Sequence, residues 1–341
     1  MTASFMSREI AEIPEAAERL LSTSHAAIDE IADSFHQHDP AVLLTIARGS
    51  SDHAALFLKY AFEITLGLPC ASLGPSLASI YGVVPHTRRA VALAISQSGQ
   101  SPDIVAMMRA ARDGGGLTVA LVNTMPSPLA EVSAFAIDLA AGPERSVAAT
   151  KSFVSSVLAG LALLAAMEPE NGLGDGLAAF PKRLSEALNA DWSQVADGLE
   201  NANSLYVLGR GPSLAVAAEV ALKFKETCGL HAEAYSSAEV LHGPVELVDR
   251  GFPVLALAGC DRASKSVREV ADNLADEGAA VHVATSLKGR APHLSVPAAG
   301  HPLLDALIQI VPCYTFIEAL ARHRGRDPDR PARLAKVTET R

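Results

Sequence analysis

Two segments of the chain repeat the same arrangement of residues at a distance of 162 positions. Ile46-Ala-Arg-Gly-Ser-Ser51 precedes one helical stretch, and Val207-Leu-Gly-Arg-Gly-Pro-Ser213 precedes another. Gly67 ends the first of these stretches and Gly229 ends the second, again 162 residues apart. A period of this size is that of a whole domain and far exceeds that of a solenoid repeat. The sequence therefore predicts two related halves.

Within each half, apolar runs alternate with helical stretches. Val91–Ile95 is followed by a polar loop, a helix, a glycine turn and the apolar run Leu117–Val122, and Val254–Ala258 opens the same series. Such alternation indicates βαβ units and parallel sheets, with right-handed crossovers that place helices on both faces. The predicted fold class is α/β, with two tandem doubly wound domains of flavodoxin-like, three-layer α/β/α architecture.

Four segments are predicted along the chain: a helical lead-in at 1–25, a first domain at 26–175, a second domain at 176–324 and a tail at 325–341. The lead-in contains a predicted helix over Ser7–Leu21. The turn-rich run Pro169–Gly176 separates the domains, and an amphipathic helix is predicted over Leu177–Leu199. The tail lacks periodicity, so we expect it to be loose or to fold over another part of the protein.

Charge and cysteine spacing exclude several classes of protein. Lys and Arg number 28 against 38 Asp and Glu, a net charge of −10, which argues against nucleic acid or an anionic membrane as a partner. The chain has no CxxC pair and no metal-ligand spacing, so we expect neither a metal nor another cofactor. The segment Met1–Leu21 has no apolar core of a signal peptide, and we expect a cytoplasmic protein.

A hydroxyl-rich loop follows the predicted strand at Val91–Ile95. Ser96-Gln97-Ser98-Gly99-Gln100-Ser101 joins this strand to a helix, and Ser51 follows the first strand. Loops at the carboxyl edge of an open α/β sheet hold ligands, and a helix N-terminus with hydroxyl groups can bind phosphate without Lys or Arg. An ordinary capped turn, with Ser101 at the N-cap and proline after it, remains an alternative.

The second half carries different chemistry. Asp261 occupies the position of Ser98, and a carboxylate there would repel phosphate. The region that follows the turn Gly209-Arg-Gly211 contains Lys223, Glu226 and His242. A carboxylate and an imidazole suit general acid–base work on a carbonyl or enol, although a solvated helix face would also explain the charged residues.

These segments together resemble the sugar isomerase (SIS) family, and more narrowly the isomerase half of glucosamine-6-phosphate synthase and stand-alone amino-sugar phosphate deaminases. The resemblance covers nearly the whole chain. The motifs that carry it are Ile95-Ser-Gln-Ser-Gly99, Val147-Ala-Ala-Thr-Lys-Ser-Phe153, Ala221-Leu-Lys-Phe-Lys-Glu226, His231-Ala-Glu-Ala-Tyr235, His242-Gly-Pro244 and Asp329-Arg-Pro-Ala-Arg-Leu-Ala-Lys336.

The resemblance implies a role for each matching residue. Glu226 corresponds to the residue that moves a proton between C1 and C2, and Lys223 to a helper beside it. His242 corresponds to the ring-opening acid–base, which acts from the neighbouring subunit of a dimer, and Lys336 to a tail lysine that forms an imine with the ketose. The residues that correspond to the phosphosugar-binding set are Ser51, Ser96, Gln97, Ser98, Ser101, Val147 and Ala335.

Departures from the synthase pattern favour a stand-alone enzyme. Arg48 stands where the synthases have a small residue or cysteine, and Leu241 replaces a lysine before His242. The loop sequence Ser98-Gly-Gln-Ser-Pro102 is more similar to that of stand-alone deaminases. The chain does not begin with a catalytic cysteine, so we expect no glutaminase half.

The sequence therefore predicts a glucosamine-6-phosphate deaminase that forms fructose 6-phosphate and ammonia. Other phosphosugar enzymes of this family remain open: a fructosamine-6-phosphate deglycase, a galactosamine-6-phosphate deaminase or an aldose–ketose isomerase. A phosphosugar-sensing protein without catalysis is the alternative from another functional class.

Overall fold

The computed structural model describes residues 3–334 and Lys336, which form two compact units. The first unit comprises residues 15–144, 151–178 and Lys336. The second unit comprises residues 3–14, 145–150 and 179–334. The boundaries proposed from the sequence at 25, 175 and 324 stay predictions.

Each unit contains one five-stranded sheet. The strands of the first unit are β1 (Val42–Ile46), β2 (Cys70–Ser72), β3 (Ala90–Ser96), β4 (Leu117–Val122) and β5 (Phe135–Asp138). The strands of the second unit are β6 (Ser204–Gly209), β7 (His231–Ser236), β8 (Pro253–Leu257), β9 (Ala280–Ala284) and β10 (His293–Leu294).

Fourteen α-helices lie in the part of the chain that the structure describes. Those up to the end of the first sheet are α1 (Phe5–Ala11), α2 (Ile13–Thr23), α3 (His25–His38), α4 (Ser50–Leu66), α5 (Ser76–Ser79), α6 (Pro102–Asp113) and α7 (Pro128–Val132). The others are α8 (Lys151–Met167), α9 (Leu173–Ala187), α10 (Ala196–Leu199), α11 (Pro212–Lys223), α12 (Ser264–Asp276), α13 (Pro302–Ile308) and α14 (Ile310–His323).

The two sheets have the same strand order, which confirms the predicted fold class. The first sheet runs β2-β1-β3-β4-β5 and the second runs β7-β6-β8-β9-β10. Every neighbouring pair is parallel, from β1–β2 to β9–β10. This order is that of a flavodoxin-like doubly wound sheet, whose topological switch points lie between β1 and β3 and between β6 and β8.

Helices cover both faces of each sheet, so the central strands read as continuous apolar runs. All seven residues of β3 are buried. On one face of the first sheet, Ala92 and Ala94 pack with Met107 and Ala111 of α6. In the second sheet, Val254 and Ala256 belong to the same buried cluster as α12.

Corresponding glycines adopt the same backbone conformation in both units. Gly49 precedes α4 with φ 55° and ψ −131°, and Gly211 precedes α11 with φ 60° and ψ −136°. Gly67 and Gly229 end their helical stretches in the left-handed region, at φ 64° and 58°. Residues with a Cβ rarely adopt a positive φ, which explains why glycine stands at each position.

Two predicted helices differ from those observed. The helix expected over Ser7–Leu21 is split into α1 and α2, because Pro14 has no amide hydrogen and its ring blocks the preceding turn. The helix expected over Leu177–Leu199 already begins at Leu173, whose amide is capped by Asn171 Oδ1 at 2.8 Å. It ends at Ala187, and Asp191 then forms a local turn with the Ser193 amide at 2.9 Å.

One helical stretch of the described chain, Pro302–His323, has the length and apolar character that a membrane span requires. However, 83% of its most apolar window is buried inside the protein. The burial is that of a core helix of the second unit, where Tyr314 and Ile317 are fully enclosed. The cytoplasmic location expected from the sequence stays a prediction.

Candidate active site

The hydroxyl-rich loops of the first unit lie at the carboxyl edge of its sheet, beside the switch point between β1 and β3. Ser51 is in the first turn of α4, directly after the loop that follows β1. Ser96 ends β3, and the loop from Gln97 to Ser101 leads into α6. Ser51 and Ser101 therefore lie at this edge of the sheet, as the sequence predicted.

The loop after β3 is held in shape by its own hydroxyl groups. Ser96 Oγ accepts a hydrogen bond from the Gly99 amide at 3.0 Å, and Ser98 Oγ accepts one from the Gln100 amide at 3.3 Å. Gly99 has φ 64°, and a Cβ there would lie 2.3 Å from Ser127 Oγ. A residue with a Cβ therefore does not fit at this position of the loop.

At the two helix N-termini of this edge, the N-cap residue itself makes no side-chain hydrogen bond. Gly49 has no side chain, and the hydroxyl of Ser101, the N-cap of α6, makes no capping hydrogen bond. The first amides of a helix have no partner within the helix and carry partial positive charge. In α6, Pro102 has no amide hydrogen and the Ile104 amide already donates to Asp103 Oδ1 at 2.9 Å. The N-terminus of the 17-residue helix α4 is therefore the one at this edge that suits an anionic group.

An arginine–aspartate pair at the same edge was missed by the sequence reasoning. Arg48 follows β1, and its Nε and Nη2 lie 3.1 and 2.8 Å from Asp103 Oδ2. Asp103 is fully buried in the first turn of α6, whereas the Arg48 side chain is 53% exposed. Only the fold brings these residues together, since they are 55 positions apart.

In the second unit, Lys223 and Glu226 form the centre of a buried ionic cluster. The Lys223 ammonium lies 2.5 Å from Glu226 Oε2 and 3.4 Å from Glu219 Oε1. Tyr314 donates a hydrogen bond to Glu219 at 3.1 Å. Lys223 and Glu219 are fully buried, and the Glu226 side chain is 21% exposed. Glu226 is therefore the member of this cluster that can meet a ligand.

The backbone around Glu226 is a π-helical turn over Phe224–Cys228 that continues α11 and ends at Gly229. Such a turn adds one residue to a helical repeat and recurs at functional sites. Thr227 Oγ1 donates to the Lys223 carbonyl at 2.8 Å and helps to hold this turn. Burial raises the pKa of the neighbouring Cys228 thiol to about 11, so it is not a nucleophile at neutral pH.

An open cavity of about 860 Å³ lies beside Glu226, large enough for a small-molecule ligand. One wall is the π turn, with Lys225 and Gly229, and the other is the tail segment from Gly325 to Leu334. The tail, which had no predicted secondary structure, thus lines the same cavity as the candidate proton carrier.

His242 lies in a short 3-10 turn, Glu239–His242, and is exposed. Within residues 3–334 and Lys336, its ring makes no hydrogen bond and no ion pair. Glu226 and His242 are therefore not held together by any direct contact. On β7, Tyr235 donates to Glu233 Oε2 at 2.7 Å, and this hydrogen bond raises the pKa of Tyr235 to about 12.

The tail lysine is held by a buried carboxylate of the first unit. Lys336 Nζ lies 3.2 Å from Glu144 Oε2, and the Ser152 hydroxyl donates to the same oxygen at 2.7 Å. In the second unit, the Val147 amide donates to the Asp329 carbonyl at 3.2 Å, so that amide is already engaged. Ala335 lies outside the described residues.

Two carboxylates of these clusters, Glu219 and Glu144, were not singled out from the sequence. Glu219, Lys223 and Glu226 are spaced i, i+4 and i+7, and this spacing alone could have placed Glu219 on the same helix face. No local pattern links Glu144 to Lys336, because 192 residues separate them.

No three His, Cys, Asp or Glu side chains among the described residues form a group that could hold a metal ion.

Comparison with known proteins identifies the family to which the chain belongs. The SIS domain family matches residues 39–166 and 198–291, one segment in each half of the chain. The glutamine–fructose-6-phosphate aminotransferase (isomerizing) of Aquifex aeolicus is 33% identical over 342 residues, which cover 98% of this chain and 57% of that enzyme. The chain thus spans little more than half the length of this curated relative.

Two solved structures have the same fold. A candidate phosphosugar isomerase from Silicibacter pomeroyi is 52% identical with a TM-score of 0.92, and the match covers 96% of this chain and all of that one. A glucosamine-6-phosphate deaminase from Thermotoga maritima is 22% identical with a TM-score of 0.78, covering 99% of this chain and 100% of that one. The second likeness concerns the fold alone.

Proposed function

The chain belongs to the SIS domain family, and from this premise we propose that it is an amino-sugar phosphate deaminase that converts glucosamine 6-phosphate to fructose 6-phosphate and ammonia. The observation that carries the proposal is Glu226, a carboxylate that contacts the buried ammonium of Lys223 and borders a cavity of about 860 Å³. Proton transfer between adjacent carbons needs one such base, held in place and open to the ligand.

The phosphate group is proposed to bind at the N-terminus of α4, with the hydroxyls of Ser51 and Ser101. The loop Ser96–Ser98 adds further hydroxyl and backbone groups. These groups support anion binding in a protein whose net charge is −10, because hydrogen bonds and helix dipoles act locally.

In the proposed reaction, His242 opens the sugar ring by moving the proton between the ring oxygen and O1. Glu226 then removes the proton from C2 and returns it to C1, which turns the aldose into an imine of the ketose at C2. Replacement of the nitrogen at that carbon releases ammonia, and the final addition of water there gives the ketose. The contact with Lys223 holds the Glu226 carboxylate in position while the proton is transferred.

Lys336 is proposed to replace the amine at C2 through its own imine before water enters. A lysine is nucleophilic only as the free amine, whereas an ion pair favours the ammonium. Glu144 is a carboxylate in contact with Lys336, and we propose that it takes up this proton.

The proposal includes a homodimer in which His242 serves the partner's site. The exposure of His242 and the absence of a described contact to Glu226 within one chain support this arrangement. A fructosamine-6-phosphate deglycase, a galactosamine-6-phosphate deaminase and an aldose–ketose isomerase use the same steps on related sugars, and they remain the alternatives.

A substrate panel tests the proposal. The purified protein is incubated with glucosamine, galactosamine and fructosamine 6-phosphates, and ammonia and fructose 6-phosphate are measured by coupled enzymatic assays. We expect both products in equal amounts from glucosamine 6-phosphate, and none with the Glu226→Gln variant. Ammonia from another amino sugar alone would assign that substrate instead, and binding without any turnover would support a sensing role.

A further inference from the structure

Arg48 holds an unusual position at the carboxyl end of β1. Its Nε and Nη2 both donate to a single oxygen of Asp103, at 3.1 and 2.8 Å. Two hydrogen bonds to one carboxylate oxygen fix both the position and the plane of a guanidinium group. The side chain therefore connects the loop after β1 to the first turn of α6, across the switch point of the first sheet.

The pair differs from an ordinary surface ion pair, in which both side chains are mobile. Asp103 is fully buried, and its other oxygen accepts from the Ile104 amide at 2.9 Å. Arg48 is 53% exposed, and its Nη1 makes no hydrogen bond to any described residue. One side of the guanidinium is thus fixed by a buried partner, while about half of the side chain stays exposed at the edge where the hydroxyl-rich loops end.

Arg48 also offsets negative charge at this edge. A phosphate at the N-terminus of α6 would meet the buried charge of Asp103, and Arg48 neutralises that charge through direct contact. Asp52, in the first turn of α4, is a second carboxylate near Arg48. Partial burial raises the pKa of Asp52, and the charges of His53 and Arg48 oppose that effect.

We propose that Arg48 is a phosphate-binding residue of this site, with its free guanidinium donors directed to the phosphate oxygens of the sugar and its orientation set by Asp103. The inference rests on the proposed function only in that the ligand is a phosphosugar. It adds a fixed positive charge to a cradle that otherwise consists of hydroxyl groups and backbone amides.

The second unit provides a matched control. Arg210 stands 162 residues later, at the corresponding position after β6. Its Nη1 donates to the Ser266 hydroxyl at 3.3 Å, and the neighbouring loop carries Asp261, whose carboxylate accepts from the Ala263 and Ser264 amides. Among the described residues, Arg210 thus has no carboxylate in direct contact, although it stands in the same local structure, and it is not expected to bind phosphate.

The test measures equilibrium binding of fructose 6-phosphate by calorimetry to the full chain and to the Arg48→Ala, Arg48→Gln and Arg210→Ala variants. Inorganic phosphate and fructose serve as partial ligands. Both substitutions of Arg48 should weaken binding of fructose 6-phosphate and of phosphate at least tenfold, with little effect on fructose. The side chain in Arg48→Gln can still donate a hydrogen bond to Asp103. This variant therefore removes the positive charge while it keeps the link between the loop after β1 and α6.

Binding of fructose 6-phosphate that is unchanged in a folded Arg48→Gln variant would overturn the inference, as would an equal loss in Arg210→Ala. Because the readout is binding, a wild-type protein that binds the phosphosugar but releases no ammonia would refute the deaminase and leave the role of Arg48 standing. A wild-type protein that binds neither fructose 6-phosphate nor phosphate would refute both.

Discussion

The ammonium of Lys223 lies 2.5 Å from the carboxylate of Glu226, at the junction where α11 passes into a π turn. Lys223 is fully buried and has a second carboxylate, Glu219, at 3.4 Å. A buried cation with two carboxylate neighbours is held firmly, because moving it would leave an uncompensated charge. The consequence is a fixed position for Glu226, the one partly exposed group of the three.

The first prediction concerns this carboxylate. The Glu226→Gln variant should keep its fold and its binding of fructose 6-phosphate, while kcat for ammonia release falls by about 10²-fold or more, the usual contribution of a positioned base. Glu239→Gln, an exposed carboxylate on the turn that carries His242, is the matched control and should retain activity. Steady-state kinetics that give equal kcat for both variants would contradict the assignment.

The second prediction concerns Lys336. The Lys336→Arg variant should preserve the ion pair with Glu144 and lose turnover, because a guanidinium stays protonated and cannot form an imine. Borohydride reduction in the presence of fructose 6-phosphate, followed by mass spectrometry, should label the wild-type chain at Lys336 and leave the variant unlabelled. Full activity of Lys336→Arg would show that no imine is needed.

A point substitution is the sharper test here than removal of residues 329–341. Asp329 accepts hydrogen bonds from the Phe5 and Met6 amides at 2.7 and 2.8 Å, so a deletion that includes it would also disturb α1.

The third prediction concerns His242. If it acts on the site of a partner subunit, then Glu226→Gln and His242→Asn homodimers should each be inactive. Mixing and reassembling the two should restore about a quarter of the wild-type activity per chain, since half of the dimers would be mixed and each would contain one intact site. Size-exclusion chromatography checks the assembly state. No recovery in confirmed mixed dimers would place His242 in the site of its own chain.

The fourth prediction concerns helix packing in the first unit. Gly160 of α8 lies against Leu58 of α4, and a Cβ at this position would come within 2.3 Å of the Leu58 side chain. Gly160→Ala should therefore lower the free energy of unfolding by about 1–3 kcal/mol, the usual cost of overpacking. Gly174→Ala is the control, because a Cβ there meets no atom within 4 Å beyond its chain neighbours and the backbone of its own helix, and alanine favours a helix. Denaturant titration that finds both variants equally stable would refute the packing argument.

The fifth prediction concerns pH. His301 Nδ1 accepts from the Leu303 amide at 3.3 Å and so caps α13. Burial lowers the pKa of His301 below its usual value of 6.5, although the nearby Asp305 acts in the opposite direction. The folded protein therefore binds this proton less readily than the unfolded chain, and stability is lost as pH falls through about 6.5 toward the lower folded value.

His301→Asn keeps a capping oxygen but does not titrate. Between pH 7.5 and 5.5, its denaturation midpoint should fall less than that of the wild-type protein. An identical fall in both would mean that His301 does not contribute to the pH dependence.

Much of the fold was predictable from local sequence. The apolar runs at Val91–Ile95 and Leu117–Val122 are β3 and β4 because a strand covered on both faces needs apolar residues at every position. Gly49 and Gly211 also marked equivalent turns correctly, since a positive φ selects glycine wherever it occurs. The ends of helices were harder to predict, because a cap such as Asn171 acts through a single hydrogen bond that periodicity does not reveal.

For the candidate site, too, some features could be predicted from the sequence and others could not. By itself, the sequence determined the two α/β halves, the hydroxyl-rich loop at the carboxyl edge and the proximity of Lys223 to Glu226, because each depends on neighbours along the chain. Only the tertiary structure decided that Arg48 meets Asp103 and that Lys336 meets Glu144. These contacts join residues 55 and 192 positions apart, and it is the packing of strands and helices that sets which distant charges are buried together.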